Sequence, residues 1–229
     1  MNTELICSGG LLNAESSEAG VLVWKLDDSI LKSEQIPQKK GLPTKRMKTG
    51  QAQSIVPTAK INCAGGLSSI KWTSPNRIVA GCKDHTLKLI NVERQQTEEV
   101  IFTEHKVPTS IDSSKESILL TGHEDSLIRL WDSRSGTSER SFKSLYESHS
   151  KWISSVQFNS SVDNIFISSS FDGTVKLWDL RNEESPLSTL KRKDASLSED
   201  YKVFDIEWNG PSQIISGGSD SHVSIHTLQ

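Results

Sequence analysis

Long apolar runs are missing from this 229-residue sequence. None approaches the roughly 18–20 consecutive apolar residues that a helix needs to cross a bilayer, which argues against a helical membrane protein. Apolar residues make up 34%, and with the 14 Gly about 40%, short of the roughly 45–50% of average globular usage. Tyr and Met are scarce, at two each, and Ala is sparse, while Ser is the commonest residue at 37. That balance favours strands and turns over helices and argues against a long coiled coil. The three cysteines, Cys7, Cys63 and Cys82, are odd in number and match no zinc or redox spacing, so they read as reduced, buried thiols of a cytosolic or nuclear protein. The first ten residues lack a basic stretch before an apolar one. They read as the middle of a strand rather than a signal peptide.

Strong charge of either sign is also lacking. The net charge of −3 argues against a general nucleic-acid binder. It conceals an asymmetry: residues 32–50 carry six Lys or Arg against Glu34, a net +5, which leaves −3 − 5 = −8 on the rest. The basic residues include Lys39, Lys40, Lys45, Arg46 and Lys48, within a stretch, 27–60, that holds three Pro and no repeat pattern. This reads as a solvated insertion, and its cluster is a candidate nuclear-import signal or RNA contact.

What the sequence does have is a repeat. Four segments align without gaps: Ala80 to Asn91, Thr121 to Asp132, Ser168 to Asp179 and Ser216 to Thr227. In each, a small residue precedes a turn aspartate by four, and alternating apolar residues follow it. The aspartates are Asp84, Asp125, Asp172 and Asp220, spaced 41, 47 and 48 residues apart. A degenerate fifth copy opens the chain with Ser8-Gly9-Gly10 and continues to Trp24. Trp131-Asp132 and Trp178-Asp179 end two of the copies. Asp172-Gly173 reads as a hairpin turn, since Gly accepts positive φ.

This pattern resembles the WD-repeat family. The resemblance implies an all-β fold, a β-propeller of four-stranded antiparallel blades. It would be partial here, about four and a half blades of a presumed seven. The expected units are a partial blade at 1–26, the insertion at 27–60, and blades at 61–93, 100–133, 145–181 and 198–229. Both ends of such an arc would present strand edges.

Two constellations have the residue types of a hydrolase: His105, Thr121, Asp125 and Trp131, and His149, Ser168, Asp172 and Trp178. In the WD family such a set is a structural hydrogen-bond network, and its recurrence favours that role over catalysis. The other copies depart from it, with Ala80 and Ile90 in one, and Ser198 and His226 in the other. His222 and His226 are four apart, but no further ligands are evident. No cofactor, metal or small-molecule substrate is implied.

The basic insertion, Ser148-His149-Ser-Lys-Trp152, Asp179-Leu-Arg181 and Lys202 to Trp208 occur in an order similar to the WD-repeat subunits of the PeBoW complex. That resemblance implies a non-catalytic scaffold in large-ribosomal-subunit assembly and pre-rRNA processing. It implies a nuclear, nucleolar and nucleoplasmic location, away from membranes, on the pre-ribosomal particle. Its partners would be pescadillo and a block-of-proliferation-type WD protein. An adaptor for a ubiquitin ligase or for chromatin is the alternative. The expected docking rim carries Lys83, Glu124 and Phe171, each just before a turn Asp, with Lys151 and Trp152 after His149.

Overall fold

A computed structural model describes residues 4–11, 19–26, 59–63, 66–104, 106–114, 117–133, 142–191 and 201–228. The insertion cluster from Lys39 to Lys48, and His105 and Ser198, lie outside them. Every regular element described is a strand, and the strands form five antiparallel sheets. The first joins β1 (Glu4–Leu11), β2 (Ala19–Leu26) and β3 (Ala59–Cys63). The second runs β4 (Leu67–Ser74), β5 (Arg77–Cys82), β6 (Thr86–Asn91) and β7 (Gln96–Phe102). The third runs β8 (Pro108–Ser114), β9 (Ile118–His123), β10 (Leu127–Asp132) and β11 (Ser144–Glu147). The fourth runs β12 (Ile153–Phe158), β13 (Ile165–Ser170), β14 (Thr174–Asp179) and β15 (Ser188–Lys191). The fifth has β16 (Val203–Asn209), β17 (Gln213–Gly218) and β18 (Val223–Thr227). This is a partial β-propeller.

Each four-stranded blade closes with a strand drawn from the spacer or from the start of the next sequence copy: β7, β11 and β15. β3 completes the first sheet in the same way, pairing Val21 with Ile61. The sheets are therefore offset from the repeat units, because a hairpin partner comes next in the chain whatever the sequence period.

The first strands of consecutive sheets pack side by side: β1 on β4, β4 on β8, β8 on β12, and β12 on β16. Polar side chains bridge these neighbours. Thr109 Oγ1 donates to Ile153 O at 2.6 Å, and the Asp112 carboxylate accepts from Phe158 N at 2.6 Å. Lys71 Nζ lies 2.8 Å from Asp112, and Trp208 N donates to Gln157 Oε1 at 2.8 Å. Ser68 Oγ donates to Pro108 O. The core follows this plan as slabs between blades. One slab collects Leu120, Ile128 and Tyr146 from the third sheet with Ile153, Phe166 and Trp178 from the fourth. Gly122 marks their close approach, since a Cβ there would run into the Ile153 side chain.

The hairpin turns repeat one backbone device. The residue after the turn aspartate takes a left-handed conformation, at φ 63° for His85, 66° for Ser126, 82° for Gly173 and 63° for Ser221. Of these four turns, that of the fourth sheet alone uses the glycine that this conformation favours. The Asp side chain also helps to hold the loop, with or without that glycine: Leu127 N donates to Asp125 Oδ1 at 3.3 Å, Thr174 N to Asp172 Oδ1 at 2.9 Å, and His222 N to Asp220 Oδ1 at 3.2 Å.

Candidate interaction face

The turns at Asp125, Asp172 and Asp220 and the segment 150–152 border one groove, through Glu124, Phe171, Ser219 and Ser150 to Trp152. In the fourth sheet the four residues picked out by the repeat meet in one hydrogen-bonded chain. Trp178 Nε1 donates to Ser168 Oγ at 2.8 Å. Ser168 Oγ lies 2.8 Å from His149 Nε2, and His149 Nδ1 lies 2.9 Å from Asp172 Oδ2. The donors run in one direction if the neutral imidazole carries its proton on Nδ1. Burial pushes the His149 pKa down against the opposing pull of Asp172, consistent with that neutral form. Burial would raise the Asp172 carboxyl. Hydrogen bonds from His149, Thr174 and Ser150 N outweigh it and hold the group well below the usual carboxylate range.

Ser168 is fully buried and its hydroxyl is engaged on both sides. A nucleophile must be reachable by a substrate, so this serine is placed for structure rather than attack.

The third sheet solves the same problem with different residues. Trp131 Nε1 donates to Thr121 Oγ1 at 2.7 Å, but the imidazole against Thr121 belongs to His123, at 2.7 Å. Burial, with Arg129 nearby, pushes His123 down to about 3. Asp125 is gripped from Arg129 at 3.1 and 2.8 Å. In the second sheet Asp84 likewise takes Lys88 at 2.9 Å and Thr86 at 2.6 Å, while Ala80 and Ile90 are buried in the apolar slab. Sequence reasoning missed this basic residue four after the aspartate, although Lys88, Arg129 and Lys176 recur there in register. In the fifth sheet Ser216 Oγ sits 3.3 Å from His226 Nε2, which stands in the Trp position.

Replacing His149 by Ala is expected to cost about 1–3 kcal/mol at neutral pH, the price of leaving buried partners unpaired. The same variant changes the response to acid. His149 and His123 have folded-state pKa values below their ordinary 6.5, so the unfolded chain takes up protons first as pH falls. Their stabilisation is therefore complete above about pH 6.5 and erodes below it. The lowered carboxylates, Asp125 and Asp172, contribute only nearer their ordinary 3.8. Urea melts between pH 7 and 5 should show stability falling with pH, with a shallower fall in His149→Ala. Equal stability of the variant at pH 7 would contradict the network.

Beside this network lies a groove of about 940 Å³ lined by Glu124, Lys151, Trp152, Phe171, Lys202 and Phe204, among others. Four of the five residues expected on the docking rim are here. Lys83 is apart, on the β5–β6 turn, with its N–H on Gly66 O at 2.6 Å. Trp152 is 53% exposed and Phe204 50%. Phe171 lies between them, stacked on Trp152 at 6.4 Å and edge-on to Phe204 at 6.0 Å. Lys202 Nζ sits 5.5 Å over the Phe171 ring, a cation–π arrangement. Phe171 N–H donates to Trp152 O at 3.0 Å, which fixes both rings to one frame. Phe204 and Lys202 come from the next blade. Their signal was strand alternation, Val203 inward and Phe204 outward, at the start of β16.

The family model "WD domain, G-beta repeat" matches residues 96–132 and 140–179. A Drosophila pseudoobscura pseudoobscura protein named "Ribosome biogenesis protein WDR12 homolog" is 32% identical over 186 residues, 80% of this chain and 42% of that protein. The chain thus spans about two-fifths of the length of this relative. Among solved structures, the computationally designed Ika8 protein superposes with a TM-score of 0.62 at 16% identity, over 93% of this chain and 56% of that one. The designed Ika4 protein gives 0.58 at 20% identity, over 73% and 94%.

Proposed function

We propose that this chain, which carries WD40 repeats folded as a partial β-propeller, is a non-catalytic scaffold in assembly of the large ribosomal subunit. The ribosomal part of this reading rests on the relative named for ribosome biogenesis. The scaffold part is carried by one observation: three aromatic rings from two blades, two of them half-exposed, form a groove edged by Lys151, Lys202 and Glu124. Aromatic anchors ringed by charge are the usual centre of a protein interface. The partner this reading assigns to the groove is a block-of-proliferation-type WD protein, with pescadillo as the third member, on the pre-ribosomal particle.

Affinity purification of the tagged chain followed by mass spectrometry tests the reading. Recovery of the two partners with large-subunit precursors supports it. A ubiquitin-ligase or chromatin complex in their place would replace it with the adaptor reading.

Nuclear entry is part of the same proposal, and the basic cluster is its candidate signal. Changing Lys45, Arg46 and Lys48 to Ala should shift a fluorescent fusion towards the cytoplasm. Undiminished nuclear accumulation would remove the cluster from that role.

A further inference from the structure

A basic residue follows the turn aspartate by four in three blades, and two of the three pair with it. Lys88 lies 2.9 Å from Asp84, and Arg129 lies 2.8 Å from Asp125. In the fourth sheet the aspartate is already taken. Asp172 Oδ2 accepts from His149 at 2.9 Å and from Ser150 N at 3.1 Å. Its Oδ1 accepts from Thr174 N at 2.9 Å and Thr174 Oγ1 at 2.7 Å. Lys176 is left with neutral partners, Ser148 Oγ at 2.9 Å and Thr189 Oγ1 at 3.4 Å, although it is buried. Among the described residues no carboxylate lies within ion-pair distance of it.

A second cation stands beside it. β14 and β15 pair Lys176 with Thr189 and Thr174 with Lys191. Positions two apart on a strand share a face, so two lysines and two threonines form one square patch. The patch lines a polar cleft of about 500 Å³ with Ser148, Ser150 and Asp172. Burial and the neighbouring Lys191 both push Lys176 towards its neutral form, while Asp172 opposes them. An anion in the cleft would relieve that pressure.

We propose that this cleft is an oxyanion site that takes a phosphorylated serine or threonine side chain of a protein partner. Two lysines supply positive charge for a phosphomonoester and the hydroxyls of Ser148 and Thr189 supply further donors, while the Asp172 carboxylate that lines the same cleft is already engaged by His149, Ser150 N and Thr174. Single-stranded RNA binding would use stacked bases beside its phosphates. No aromatic ring lines the cleft for a base to stack on, and the chain outside residues 32–50 carries a net −8, which repels an extended polyanion. Ser150 lines both this cleft and the aromatic groove, so a single peptide can reach both.

The test is an amide NMR titration of the full chain with O-phospho-L-serine, with L-serine and a uridine oligonucleotide as separate arms. Phosphoserine should give saturating shifts at Ser148, Ser150, Thr189 and Lys191, and serine none. Lys191→Ala, at an exposed position, should weaken the binding about threefold or more. Lys176→Gln should weaken it about tenfold or more, and if that variant misfolds, the Lys191 variant carries the test. Absence of saturating shifts, unchanged affinity in Lys191→Ala, or tighter binding of the oligonucleotide to the same residues would each overturn the proposal.

Discussion

Replacing Trp178 by alanine is expected to destabilise the fold by about 3–5 kcal/mol, a large share of the roughly 5–15 kcal/mol that holds a typical domain together. The indole is fully buried in the slab between the third and fourth sheets. It stacks on Phe166 at 5.9 Å and meets Tyr146 edge-on at 5.6 Å. Its removal opens a cavity that Phe166 and Tyr146, held in their own strands, cannot fill. It also takes away the donor to Ser168, the first link of the chain to His149 and Asp172. Trp178→Phe separates the two losses, because it keeps most of the stacking and removes the N–H. It should fall between wild type and Trp178→Ala in a denaturant melt. A Trp178→Ala variant within about 1 kcal/mol of wild type would show that the slab is not the main support of these blades.

The parts of this molecule legible in the sequence are those set by local constraint. A turn that needs a left-handed residue after an aspartate, with alternating strands either side, repeats as a pattern of a few residues. The aspartates therefore marked four hairpins correctly. The Trp-Asp ends marked the two blades in which, among the described residues, an indole donates to a hydroxyl. The rest depends on residues brought together from a distance. His123, two residues from Thr121 on the same strand, meets the Thr121 hydroxyl, a contact that the repeat spacing did not mark; His105 lies outside the described residues. β3 joins the first sheet across the whole 27–58 stretch, which no repeat pattern reveals. Phe204 completes the aromatic groove from the next blade, 33 residues beyond Phe171. The sequence did locate Trp152 and Phe171 together, since a loop and a turn of one blade must emerge side by side.

Truncating those two rings has the second large expected effect. Trp152 and Phe171 stack on each other and share a backbone hydrogen bond, so their removal empties the centre of the groove rather than its rim. Central aromatic anchors typically contribute 2 kcal/mol or more to binding, about thirtyfold in affinity. The fold should tolerate the change better than the loss of Trp178, because Trp152 is 53% exposed whereas Trp178 is fully buried. Charge reversal at Lys151 is expected to act more weakly, and mainly on the association rate.

The measurement that bears most directly on the proposed scaffold role is the affinity of the Trp152→Ala, Phe171→Ala double variant for the proposed block-of-proliferation-type partner. It is made beside wild type, with folding of both verified by circular dichroism. The expected result is a folded double variant whose binding is weakened about thirtyfold or more. A folded double variant that binds this partner as tightly as wild type would contradict it.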